Sequence, residues 1–369
     1  MRKKNLESLR RALADWTARH LRATGKGHAV QRGTLDVDGL PVYSYGKQER
    51  AAYNGYYGEQ VYYPLVAAFS PQGDFDSKRL GDGFVHAMLR KGNAGGAQAA
   101  VRFIRNAVKK CSAMAQGVDV RFDTAFAIGE VMDALTHDGV RFVGRLKTIT
   151  VLDRLAYPHI QRPVGRPPQE GYEYTVELGP YQATPWAFPQ RLVLVMVDKP
   201  DSKTGQLLLF PEHFFLITSW REEDMSAEEL LGHYRRRGTF EDRLGELSAT
   251  VSASLSSPKF VENEALFLIS LLSFNLGSML RGELEAQTGN GWDLGRLQTS
   301  VLKAGGRVVK TARRLVLDLA HAVVPLWAIL LWRIEQWVLP ELWEQPLGPQ
   351  QRPWMPPPRH AHRVAILRH

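Results

Sequence analysis

The chain has 369 residues, 44% hydrophobic and 23% charged, the balance of a globular protein with a core along most of its length. A net charge of +9 favours a polyanionic partner, nucleic acid first among them. The single cysteine, Cys111, excludes an internal disulfide and a cysteine-rich zinc site, and fits a reducing cytoplasm.

Residues 1–22 are charged and helix-like, without the uninterrupted apolar stretch of a secretory signal. Residues 34–38 (TLDVD) read as a strand ending in acids. Gly39-Leu40-Pro41 turns the chain, residues 42–45 continue as a second strand, and 61–69 (VYYPLVAAF) form a third. Residues 94–115 carry Val101, Ile104 and Val108 at helical spacing. Residues 118–122 read as a strand, 128–136 as a helix and 140–146 as a strand. The order predicts a mixed sheet flanked by helices. Residues 162–168 (RPVGRPP) are a loop signal, and three β-like runs follow at 172–178, 191–198 and 213–218. These make an inserted antiparallel subdomain over about residues 150–219. Ser226 with Glu229 three residues on is a capping box, and the pattern is helical from there to about Trp337. The apolar runs at 267–280 and 315–339 read as buried helices rather than membrane spans. The first is short and contains Asn275; Asp318, His321, Pro325, Arg333 and Glu335 interrupt the second. The tail from Pro340 is proline-rich and basic, and reads as irregular. The expected division is 1–32 helical segment, 33–149 first part of the main domain, 150–219 insertion, 220–339 helices and 340–369 tail.

Three carboxylates stand out by position. Asp38 ends the first strand, with Asp36 two residues earlier on the same strand face. Asp123 follows the strand at 118–122, and Glu241 lies on the helix after the insertion. Phosphodiester cleavage and strand transfer need stabilisation of a highly charged transition state. Two magnesium ions about 3.5–4 Å apart hold the attacking and leaving oxygens in line. Each ion takes only one or two carboxylates, so two strand-end aspartates and one helix acid meet the minimum. Tyr234, Arg237 and Glu241 fall at i, i+3 and i+7, on one helical face. Basic Arg235 and Arg236 lie beside them, with Arg243 further on, and arginines suited to phosphate make sense beside a metal-binding acid. Asp242 and Glu246 share this helix and keep the choice of acid open. Spacing alone favours the plainer reading, in which strand-end acids are turn residues and a charged helix is a solvated face.

The motifs taken together resemble the bacterial insertion-sequence transposases with an Asp-Asp-Glu site on a ribonuclease H-like fold. The matching stretches are Thr34-Leu35-Asp36-Val37-Asp38-Gly39, followed by Gly46-Lys47-Gln48 and Ala52-Tyr53-Asn54-Gly55. Arg121-Phe122-Asp123-Thr124-Ala125-Phe126 is similar to the family's Arg-x-Asp-Ser-x-Phe. Tyr234-x-x-Arg237-x-x-x-Glu241 looks like three members of the Tyr-Arg-Glu-Lys signature. The resemblance spans about residues 34–334. It implies that Asp38, Asp123 and Glu241 are catalytic metal ligands for Mg2+, with Mn2+ as a substitute. It implies DNA contacts for Tyr234 and Arg237, with Arg235 and Arg236 beside them. The implied partners are double-stranded DNA, as element ends and target, and a second copy in a synaptic dimer. No membrane partner is expected; the implied location is the bacterial cytoplasm, at the nucleoid.

Two departures qualify this. The signature's lysine position, seven after Glu241, holds Ser248, and the next lysine is Lys259 beyond Pro258. Only residues 1–32 precede the first strand, where the family has a helical DNA-binding region. These motivate an alternative: a catalytically impaired or domesticated DNA-binding derivative. Trp292, Trp327, Trp332 and Trp337 read as helix packing, His86, His137, His213 and His233 show no metal-ligand spacing, and residues 92–96 (GNAGG) read as a turn.

Overall fold

The computed structural model describes residues 3–24, 30–72, 82–160, 171–199, 211–250, 255–311, 314–336 and 363–368. The first helix, α1 (Lys3–Thr24), leads into β1 (Val30–Gly39), then the short strands β2 (Val42–Tyr43), β3 (Ala52–Asn54) and β4 (Glu59–Tyr62). Next come β5 (Leu65–Pro71), β6 (Gly83–Met88), α2 (Ala100–Cys111), β7 (Ala115–Phe122), α3 (Gly129–His137) and β8 (Phe142–Leu146). After α4 (Thr150–Ala156) stand β9 (Tyr172–Tyr181), β10 (Gln190–Asp198) and β11 (Glu212–Thr218). The rest of the order is α5 (Ala227–Arg235), α6 (Gly238–Thr250), α7 (Phe260–Thr288), α8 (Leu294–Leu297), β12 (Gly306–Thr311), β13 (Arg314–Leu319), α9 (Val324–Gln336) and β14 (Arg363–Arg368).

One eight-stranded sheet organises the molecule, in the order β6-β5-β1-β7-β8-β11-β10-β9. β1 pairs antiparallel with β5 and parallel with β7, and β7 pairs parallel with β8. Parallel neighbours need a crossover, and α3 supplies the one between β7 and β8. The first five strands thus form the ribonuclease H-like mixed sheet. The three strands of the insertion continue the same sheet through antiparallel pairing of β11 with β8. The expected single strand over 61–69 is two strands in two sheets, β4 and β5. Pro64 has no N–H to give to a ladder, and the pairing breaks at Tyr63-Pro64.

Side chains alternate across the sheet and sort into two main cores. Leu35, Val37, Leu65, Ala67, Phe69 and Phe122 meet Phe103, Ile104, Val131 and Met132 of α2 and α3. On the opposite face Val66, Ala68 and Phe84 meet Phe240, Phe267, Leu271 and Phe274 of α6 and α7. Period-two alternation therefore turns Thr34, Asp36 and Asp38 of β1 toward α5 and α6. Trp292, read as packing, is buried in this second core, with Trp327 packed against it; Trp337 lies outside the described residues.

The β6 edge is closed by side chains. Asn275 of α7 accepts the Phe84 N–H at 2.9 Å and donates to the Phe84 carbonyl at 2.8 Å, as a neighbouring strand would. It also donates to Thr17 Oγ1 of α1. α7 is long and apolar enough by composition to cross a membrane. Buried Asn263, Glu264, Asn275, Arg281 and Glu283 mark it as an interior helix.

Two expectations are corrected. The segment from Ser226 to Trp337 is not continuously helical: β12 and β13 form a hairpin with β-branched and leucine residues in Arg-Val-Val-Lys and Arg-Leu-Val-Leu. The tail is not wholly irregular, since β14 pairs antiparallel with β13. The loop expected at 162–168 and the proline run at 356–358 lie outside the described residues.

Candidate active site

The parallel register of β1 and β7 ends at Val37 opposite Phe122. The next residues, Asp38 and Asp123, therefore emerge side by side from adjacent strands about 4.8 Å apart, at their carboxyl ends. Asp38 Oδ1 accepts the Gly39 N–H at 2.7 Å. Asp123 Oδ1 accepts the Ala125 N–H at 3.0 Å and opens the turn that leads to α3. Burial pushes the Asp38 carboxyl up to about 6; Arg237 opposes this and the negative charge of Asp123 adds to it. Burial likewise raises Asp123, again against the pull of Arg237.

The third acid arrives from the far side of the insertion. The capping box is formed: Ser226 Oγ accepts the Glu229 N–H, and the Glu229 carboxylate accepts the Ser226 N–H. The helix that starts there is not single. α5 ends at Arg235, Arg236 and Arg237 form a tight turn, and α6 resumes at Gly238. Arg237 N–H bonds back to Tyr234, three residues away, and the Glu241 N–H bonds to Arg237. The turn still leaves Arg237 and Glu241 one helical turn apart on the face over the strand ends.

Arg237 joins the acids. One of its terminal nitrogens donates to Asp38 Oδ2 and the other to Glu241 Oε1. The guanidinium is 6% exposed and its Nε has no hydrogen-bond partner. Asp38, Asp123 and Glu241 all act to hold its charge. The Glu241 side chain is 59% exposed, so it stands at the mouth of the site while Asp38 lies at its floor. Tyr234 is close enough for its hydroxyl to feel Asp123 and Glu241, although burial dominates the upward shift of its pKa.

Two of the rival acids, Asp36 and Glu246, are occupied elsewhere. Asp36 is 1% exposed and forms a two-point pair with Arg121, Nε to Oδ1 at 2.7 Å and Nη2 to Oδ2 at 2.8 Å. Arg121 also donates to the His233 carbonyl, tying β1 and β7 to the end of α5. Glu246 pairs with Arg281 of α7 at 2.8 Å, and Asp242 is exposed. The three consecutive arginines diverge. Arg235 pairs with Glu173 of β9, Arg236 lines a polar cleft of about 250 Å3 with Asp36, Arg121, His233 and Thr239, and Arg237 enters the acid cluster. Ser248, at the lysine position of the signature, donates to the Leu244 carbonyl within α6; Lys259 lies beyond that helix, at the residue before α7.

Sequence reasoning missed the tyrosines. The Tyr63 ring lies against Gly39: a Cβ there would stand 2.5 Å from the ring. Arg90 sits over the same ring at 5.1 Å. Tyr57 and Tyr63 are both raised in pKa, first by burial and further by Asp38; their mutual hydrogen bond raises Tyr57 and lowers Tyr63. Only the density of tyrosines at 43–63 signalled this.

Carboxylates are the donor type a hard divalent cation takes. Among the described residues no three His, Cys, Asp or Glu side chains already stand as a metal-holding group. The Arg237 guanidinium stands between Asp38 and Glu241, bonded to both.

Comparison with curated proteins gives no match. The protein-family model described as transposase DDE domain group 1 matches residues 2–336, nearly the whole chain. A match over nearly the whole length shows the family: the chain belongs to the DDE-domain transposase family, group 1.

Proposed function

We propose that this transposase cuts and joins DNA at the ends of an insertion sequence, using Asp38, Asp123 and Glu241 to hold Mg2+ or Mn2+. The observation that carries the reading is the emergence of Asp38 and Asp123 from neighbouring parallel strands, with Glu241 joined to them through Arg237. When bound, divalent ions would neutralise the transition state and activate the attacking oxygen. In the first step a water oxygen bonds to phosphorus as the bond to the 3′ oxygen breaks, leaving a 3′-hydroxyl and a 5′-phosphate. In the second that 3′-hydroxyl bonds to a target phosphorus as another 3′ oxygen departs.

The protein's own contribution is positioning. The strand ends fix two acids rigidly, and α6 brings the third at the open side. Arg237 neutralises Asp38 and Glu241 before DNA arrives, and offers its guanidinium to a phosphate once they hold cations. Tyr234 and Arg236 flank the path of the backbone. The double-stranded substrate and a paired synaptic complex are part of this reading.

A second reading has its own support. Ser248 offers no charge to a DNA phosphate, so the chain is alternatively a DNA-binding derivative with impaired chemistry. Nicking of supercoiled DNA carrying the native element ends separates the two. With Mg2+ or Mn2+ the parent is expected to nick and Asp123→Asn to fall by at least about a thousandfold while still binding. A parent that binds such DNA and never nicks it leaves only the second reading.

A further inference from the structure

A row of tyrosine rings runs outward from the acids. Tyr63 lies on Gly39, directly after Asp38. Tyr57 is next, its ring centre 5.7 Å from that of Tyr63, and Tyr56 follows at 4.9 Å, edge to face. Burial falls along the row until Tyr56 stands 88% exposed. Tyr53 on the same small sheet and Tyr45 just beyond β2 are 60% and 90% exposed. Packing gives no reason to hold so large a side chain in water at the tip of a loop.

The tip is built to hold its shape. Asn54 Oδ1 accepts the Tyr56 N–H at 3.0 Å, and Asn54 Nδ2 donates to the Gly92 carbonyl at 2.8 Å. Gly58 closes the turn at φ 68° and donates to the Asn54 carbonyl at 2.9 Å. Gly92 is itself wedged under the sheet, where a Cβ would stand 1.9 Å from the Val61 carbonyl oxygen. Tyr56 is therefore presented by a braced turn, which lowers the ordering cost of a contact. Charge nearby is mixed: Lys47, Arg50 and Lys91 are exposed, as are Glu49 and Glu59. The surface is suited less to a phosphate track than to a flat apolar ligand with a polar edge. Beside a DNA-cutting site that ligand is a nucleobase outside its duplex, since every base has a face for stacking.

We infer that Tyr56, backed by Tyr57 and Tyr63, is a stacking platform for an unpaired base of DNA lying next to the phosphate at Asp38. The inference rests on the DNA-cutting reading above, and it adds a preference for splayed or single-stranded ends over intact duplex. Its experiment uses the full chain with EDTA, so that no cutting intervenes. Labelled blunt duplex is compared with the same duplex ending in several unpaired thymidines, by fluorescence anisotropy. The parent is expected to bind the splayed end more tightly. Tyr56→Ala is expected to lose about tenfold on the splayed DNA, in line with stacking energies of about 1–3 kcal/mol per base, and nothing on the duplex. Tyr56→Phe keeps the ring and is expected to keep the preference. Since Tyr56 is exposed, all three proteins should share one melting temperature. A parent without preference, or a Tyr56→Ala variant that retains it, overturns the platform and leaves the cutting site standing. A parent that binds neither DNA overturns the DNA reading of the whole site, the platform with it.

Discussion

Arg237 and Arg121 show how differently two buried arginines serve one sheet. Arg121 is locked to Asp36 by two charge-assisted bonds of 2.7 and 2.8 Å and holds the end of α5. Removing one partner of such a pair strands the other charge, so Asp36→Ala is expected to cost about 3–5 kcal/mol of stability, read by urea denaturation. A loss below about 1 kcal/mol would show that Asp36 is free for chemistry instead. Arg237 has a weaker hold on place, since its Nε is unpartnered and one of its acids is largely in solvent. Its positive charge stands between Asp38 and Glu241, where cations would be held, so the two compete. Arg237→Gln is therefore expected to raise Mn2+ affinity without DNA by about tenfold or more, about 1.4 kcal/mol, by calorimetric titration. The same variant is expected to bind DNA more weakly. Equal Mn2+ affinity in the two proteins would remove the competition. Asp36 and Asp38 lie on one strand face, so spacing favours neither, and only the strand end before the turn points to Asp38; the pairing of Asp36 with Arg121 is visible only in three dimensions.

At the scale of elements, the fold was legible where periodicity and position agree. β1, β7, β8, α3 and the capping box at Ser226 stood near their expected places, because each has a clear apolar period or a stop signal. β6 was not anticipated. It is an edge strand whose Gly-Phe-Val-His-Ala-Met run has no clean alternation, and its outer hydrogen bonds are met by α7 rather than by a strand. β13 lies at the start of an apolar stretch that reads equally well as helix, β12 lies in the longer segment read as helical, and the break at Arg236-Arg237 leaves no trace in spacing. The β6 edge gives a test. Asn275→Leu keeps the volume and apolar contacts but strips the Phe84 N–H of its partner and leaves the Phe84 carbonyl only the Thr17 hydroxyl at 3.3 Å. An unsatisfied buried group costs about 1–3 kcal/mol, so the variant is expected to lose roughly that much. Hydrogen exchange at Phe84 is expected to quicken beyond the global effect. An unchanged denaturation midpoint would mean that the edge finds other partners.

For the whole molecule the consequence lies in its buried histidines. His20, His86 and His233 are held neutral mainly by burial, with pKa values pushed down to about 4, about 3 and about 3. They sit in three different places: on α1, on β6 against Phe103, and at the end of α5 beside Trp220. Unfolding releases each to titrate near 6.5, so the unfolded chain binds more protons once the pH drops below that value. Stability is complete above about 6.5 and falls as the pH descends toward the folded-state values. Each histidine contributes about 1.4 kcal/mol per unit. Asp38 and Asp123 work the other way, because their raised pKa values make the folded state take up protons first. Three histidines against two aspartates are expected to leave a net loss. The denaturation midpoint is expected to drop steeply between pH 6 and 4.5. His86→Leu, which replaces a ring with an unpartnered Nδ1, is expected to remove about a third of the histidine contribution and so flatten that slope. A variant with the parent's slope would assign the acid sensitivity to other groups.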